Sequence, residues 1–233
     1  MVTVLGLVVL IGMPTALSSA AGPGAAATPT SAGTAVATLS PSQIAGQRVI
    51  YSYAGHIPPA SLLRLISHGE AAGVVFFGRN ITGHAQIRAV IQKLEQANAS
   101  SLNPVRAPLL LLTDQEGGQI RRLSGAPLLS EKQIGEAADP AAKATAAGTS
   151  TAHNLAGVGM NVNLAPVLDV YRAAGNFDDR YGRSYSTSPA IVSELGADFV
   201  RAQQQAGVAA TAKHSPAWAR PRARKTPICD QLS

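Results

Sequence analysis

The chain has 233 residues, of which 46% are apolar and 14% charged, and carries a formal net charge of +6. A disordered protein would be poorer in apolar residues and richer in charge. The single cysteine, Cys229, excludes an intramolecular disulfide framework and a cysteine-based zinc site. Half of the net charge, +3, lies in the last twenty residues, where Arg220, Arg222, Arg224 and Lys225 face only Asp230. Nucleic-acid binding calls for a basic face interleaved with aromatics, and the sequence offers neither.

Residues 1–21 open with the apolar run MVTVLGLVVLIGM followed by small residues, the pattern of a signal-peptide h-region and cleavage site, although no basic residues precede it. The alternative is a buried strand or helix of the domain. No apolar run reaches the roughly 18 residues of a stable membrane span. Residues 22–39, rich in Ala, Thr, Ser, Gly and Pro without periodicity, read as a disordered linker. Leader and linker together predict an exported protein, extracellular or in the cell envelope.

From Ser40 the chain alternates. Ser40-Pro41-Ser42-Gln43 is a helix start with a capping box. RVIYSY (48–53), GVVFF (73–77), PLLLLT (108–113), NVNLAPVLDV (161–170) and VAATAK (208–213) read as strands. Helical spacing covers 59–71 and 81–99; Asp139-Pro140 opens an Ala-rich helix to about Ala156, and Ser188-Pro189 caps another through Gln205. Continuous apolar strands separated by amphipathic helices imply a parallel sheet covered on both faces. Polar clusters follow the strands: Gly78-Arg79-Asn80, Asp114 to Gly118, Asp169, and Lys213-His214. That end carries ligands both in a (β/α)8 barrel and in a doubly wound sheet. The glycine fingerprints of the latter are missing, since GVGMNV (157–162) lacks the third glycine and precedes a strand.

TDQEGG (113–118) places Asp114 and Glu116 two residues apart at a strand end. Their backbone separation of about 6–7 Å approaches that of glycosidase carboxylate pairs. The alternative is a loop-capping Asp and a solvated Glu. Arg121 and Arg122 could bind a polar substrate or pair with these acids. Asp178 to Tyr185 forms a charged loop suited to bidentate bonds to sugar hydroxyls, or else a solvated surface. Lys213-His214 adds a cation and an imidazole. His56, His68, His84 and His153 lack metal-ligand spacing, so no metal is expected, and no GxSxG elbow occurs.

AGVVFFGRNI (72–81), LLLLTDQEGGQIRRL (109–123), GMNVNLAPVLDV (159–170), GRSYS (182–186) and GVAATAKH (207–214), in this order, resemble glycoside hydrolase family 3, in particular its β-N-acetylglucosaminidase branch that recycles or trims peptidoglycan. The resemblance implies a (β/α)8 TIM-type barrel, a retaining hydrolysis of β-N-acetylglucosaminides, no cofactor, and an N-acetylglucosamine-containing glycan as partner. It makes Asp114 a residue that grips sugar hydroxyls rather than the nucleophile, with Arg122, Arg183, Lys213 and His214 lining the same subsite. The branch's proton donor, a His oriented by an Asp after a Lys-His-Phe-Pro-Gly motif, and its later Asp nucleophile have no match.

After His214 the chain departs into Ser215-Pro216-Ala217-Trp218 and a basic tail (214–233) without apolar periodicity, the composition of a coding-frame change or aberrant terminus. The 174 residues from Ser40 to Lys213 hold about five βα units, and three more would need roughly 30 residues each. The sequence therefore predicts a barrel truncated to five units over 40–213, with no catalytic residue of its own and an unpaired last strand. The alternatives are a non-catalytic sugar-binding remnant, a non-functional truncated product, or an enzyme completed by another chain.

Overall fold

A computed structural model describes residues 3–5 and 38–214. The linker, the tail beyond His214 and all of the leader except Thr3–Leu5 lie outside the described residues. The elements in chain order are β1 (Thr3–Leu5), α1 (Pro41–Gly46), β2 (Ile50–Ser52), α2 (Ala60–Ser67), β3 (Gly73–Phe76), a 3-10 turn (Gly78–Asn80), α3 (His84–Asn98), β4 (Leu110–Thr113), β5 (Gln115–Gly117), β6 (Ile120–Arg121), α4 (Glu131–Gly135), α5 (Pro140–Ala156), β7 (Val162–Asn163), α6 (Phe177–Arg180), α7 (Pro189–Gln205) and β8 (Ala209–Ala210). The main sheet runs β1-β2-β3-β4-β7-β8. Its five strands from β2 to β8 are parallel, and β1 is antiparallel to β2. Five consecutive parallel strands with intervening helices form the partial TIM-type barrel that the sequence predicts.

Successive strand residues face opposite sides, so each apolar run serves two cores. Val74, Phe76 and Leu111 pack outward with Leu62, Ile66, Ile87 and Leu94 of α2 and α3. Val75 and Leu112 turn the other way and meet Ile50 and Val162. A third cluster joins Ile134, Ala144 and Ala147 to Val192, Leu195 and Phe199. There α5 and α7 approach closely: a Cβ on Gly148 would stand 2.4 Å from the Phe199 carbonyl oxygen.

Local signals are realised in detail. Ser40 Oγ accepts from the Gln43 N–H while Gln43 Oε1 accepts from the Ser40 N–H, and Asp139 caps α5 through the Ala142 N–H. Ser188 differs: it stands at the N-cap of α7, but its side chain makes no capping bond.

The strand expected over 161–170 is regular only at Val162–Asn163. Pro166 has no N–H to give a ladder, and the segment continues through a lone parallel bridge from Val167 to Lys213. Likewise VAATAK pairs regularly only at Ala209–Ala210. One unexpected element matters for the site. After β4 the chain does not end in a loop but folds into the β5–β6 hairpin. Gly117 and Gly118, at φ of 119° and 54°, make its turn in a conformation that side-chain-bearing residues rarely adopt.

Candidate functional site

The carboxyl ends of β4, β7 and β8 converge. Asp114 follows β4 directly, and the hairpin returns Arg122 beside it, fixed by the Arg122 N–H donating to Gln115 Oε1 at 3.0 Å and to the Asp114 carbonyl at 3.2 Å. Lys213 Nζ donates to Asp114 Oδ1 at 2.8 Å and lies 2.6 Å from Glu116 Oε1. Arg183 grips Glu116 with two parallel bonds of 2.8 Å, from Nε and Nη2. Arg122 Nε stands 3.9 Å from Asp114 Oδ2, and His214 Nε2 is 3.5 Å from Arg183 Nη2. Asp114, Arg122, Arg183, Lys213 and His214, separated by up to 100 positions in the chain, thus share one polar cluster.

The solvated-Glu alternative fails. Glu116 is only 2% exposed and is engaged on both oxygens. Burial pushes its pKa up, but hydrogen bonds from Arg183 and the charge of Lys213 outweigh it and hold the carboxyl below its usual range. Asp114 and Glu116 share the Lys213 ammonium instead of facing each other across an open gap, so they do not form an acid–base pair. Glu116 is an internal anchor that holds Arg183 and Lys213 in place. Arg121 leaves the site altogether and donates to the carbonyls of Gly118 and Gly125. Asn80, fully buried, bonds the carbonyls of Tyr53 and Gly55 and clamps two loops together.

Two further carboxylates carry weight. Asp169, noted in the sequence only as a strand-end acid, places Oδ2 2.6 Å from His214 Nδ1. Glu131, at the start of α4, accepts the Val167 N–H at 2.8 Å. It is fully buried, with Oε2 unpartnered. Burial and then the nearby charge of Glu116 push its carboxyl well above the usual range. The only available signal for Glu131 was the Ser130–Gln133 capping box, now seen in full. The charged loop 178–185 divides: Arg183 reaches the site, Asp179 pairs with Lys132 and Gly175, and Arg180 stacks on Tyr181. Phe177, half exposed, lies against the Arg183 guanidinium at 5.2 Å.

A cleft of about 480 Å³ is lined by Gly118, Lys132, Asp179 and Tyr181 and by none of the five converging residues. A larger one, about 800 Å³, lies away from the site residues between α3 and the turn after α5. Among the described residues no three His, Cys, Asp or Glu are grouped to hold a metal, and no helix is long and apolar enough to cross a membrane.

The model of the family described as "Glycosyl hydrolase family 3 N terminal domain" matches residues 56–224. An uncharacterized secreted glycosyl hydrolase of Arthroderma benhamiae is 41% identical over 172 residues, 74% of this chain and 48% of the relative. A β-hexosaminidase of Pasteurella multocida is 32% identical over 160 residues, 66% of this chain and 43% of the relative. Among solved structures, a family 3 β-N-acetylglucosaminidase from a Paenibacillus species superposes with a TM-score of 0.70 at 35% identity, covering 77% of this chain and 34% of that one. The chain therefore spans about half the length of the curated relatives it matches. With the matched segment, the partial barrel and the relatives in agreement, the chain belongs to glycoside hydrolase family 3 and matches its N-terminal domain as a partial barrel.

Proposed function

We propose that this chain supplies the sugar-gripping side of a β-N-acetylglucosaminidase site, acting on N-acetylglucosamine-containing glycans such as peptidoglycan in an exported protein. The carrying observation is the convergence of Asp114, Arg122, Arg183, Lys213 and His214 at the strand ends. A pyranose presents hydroxyls that both donate and accept. Asp114 offers acceptors, while Lys213, Arg122 and Arg183 offer donors in fixed directions. Such bonds can be spent on drawing the ring toward an oxocarbenium-like transition state. The secreted Arthroderma benhamiae relative supports export.

In this reading the 233 residues grip the ring, and hydrolysis with retention draws on a nucleophile and a proton donor that no residue among them supplies. Calorimetry of the purified chain with N-acetylglucosamine tests the grip: binding is expected, with loss in an Asp114→Ala variant that circular dichroism shows to be folded at the assay temperature. Absence of binding by the wild type overturns the reading. Turnover of an aryl β-N-acetylglucosaminide by this chain is expected to be negligible, and a rate comparable to a full-length relative would overturn that part.

A further inference from the structure

We infer that Asp169 is a positioning residue of the sugar site: its carboxylate fixes His214 with Nδ1–H toward Asp169 and the Nε2 lone pair toward the sugar. This rests on the grip assigned to His214 above and goes beyond it by naming what sets the ring's donor and acceptor sides.

The geometry comes from both partners. Asp169 is 2% exposed, and an ionised carboxylate only accepts. The 2.6 Å contact to His214 Nδ1 therefore needs the hydrogen on Nδ1. On the ring's other side, Arg183 Nη2 stands 3.5 Å from Nε2, and a guanidinium only donates. Both neighbours thus call for the same tautomer. The contact is long for a direct bond, so Nε2 keeps acceptor capacity for a sugar hydroxyl, and a donor-only imidazole edge would lose it.

The backbone holds Asp169 and His214 in register. The Leu168 N–H donates to the Lys213 carbonyl at 2.6 Å, and the Lys213 N–H to the Pro166 carbonyl at 3.1 Å. Ser184 Oγ donates to the Asp169 carbonyl at 2.5 Å, tying Asp169 to the loop that bears Arg183. The second carboxylate oxygen of Asp169, Oδ1, is buried without a hydrogen-bond partner, so among the described residues His214 is the side chain that this carboxylate engages. Orientation of an imidazole through its far nitrogen is a general device for fixing which nitrogen acts.

Nitrogen-15 NMR of the full chain, at about pH 9 where an ordinary imidazole is neutral, reads the tautomer without any mutation. His214 is expected as the Nδ1–H form, and the Nε2–H form overturns the proposal. Calorimetry with N-acetylglucosamine then tests whether Asp169 acts through His214. Asp169→Ala should weaken binding at least about fivefold in the wild-type background and less than about twofold in His214→Ala. Equal losses in both backgrounds overturn the positioning role. A wild type that binds no sugar overturns the reading of the site itself, and this role with it, whereas normal binding with the wrong tautomer overturns this role alone.

Discussion

Glu116 and Glu131 are both almost fully buried, yet their surroundings drive their carboxyls in opposite directions. Glu116 sits below its usual value because Arg183 and Lys213 outweigh its burial. Its contribution to stability is present above the unfolded value of about 4.5 and is lost as pH falls through the lower folded value. Glu131 is raised, so its contribution is complete below about 4.5 and is lost as pH rises toward the higher folded value. While it stays protonated in the fold, each pH unit above the unfolded value costs about 1.4 kcal/mol. Glu131→Gln keeps an acceptor for the Val167 N–H and removes that slope. Thermal melts should find the variant close to wild type near pH 4 and increasingly more stable as the pH rises toward 7; parallel curves would contradict this. Glu116→Gln should instead cost about 3–5 kcal/mol at neutral pH by leaving two buried cations short of a charge, read by denaturant unfolding. The five converging residues were legible because each follows an apolar run or lies in a motif of the family. Glu116, Asp169 and Glu131 were not legible as anchors, because their partners come from positions 183 and 213, 214 and 167, which no local pattern announces.

At the scale of elements, uninterrupted apolar residues marked the strands well where the ladder is long. Gly73 to Phe76 and Leu110 to Thr113 pair residue for residue in the sheet. The reading overran at 161–170 and 208–213, where hydrophobicity persists for packing after the ladder has stopped. The β5–β6 hairpin escaped because QEGGQIR has little apolar character, although its paired glycines give a turn signal in hindsight. Helices α5 and α7 were legible from their caps, but not the tightness of their contact. At Gly148 the helices stand close, with the Phe199 carbonyl 2.4 Å from where a Cβ would sit. That oxygen belongs to a helix backbone and cannot swing aside. Gly148→Ala gains a few tenths to about 1 kcal/mol of helix propensity but must push the helices apart, at a cost of about 1–3 kcal/mol. The clash should win, lowering the melting temperature. A rise would show that the helices separate freely.

The whole molecule shows how a partial barrel manages its two sides. In a closed eight-stranded barrel the first and last strands pair with each other. Here that side of β2 carries the antiparallel β1, while among the described residues β8 has β7 as its one neighbour. A free edge offers unpaired N–H and C=O groups to another chain. The regular part of β8 is only two residues long, so the template is short and the association it drives should be weak and concentration-dependent rather than tight. The inner-face cluster next to it, Ile50, Val75, Leu112 and Val162 with Ala209 against them, adds apolar surface that would strengthen the contact. Light scattering after size exclusion should therefore show the 233-residue chain shifting from monomer toward larger species as its concentration rises. Ala209→Lys places a charge on that inner face at the edge, a device by which natural sheets discourage pairing. It should hold the chain monomeric over the same range. Association unchanged by this substitution would mean that the chains meet through some surface other than β8.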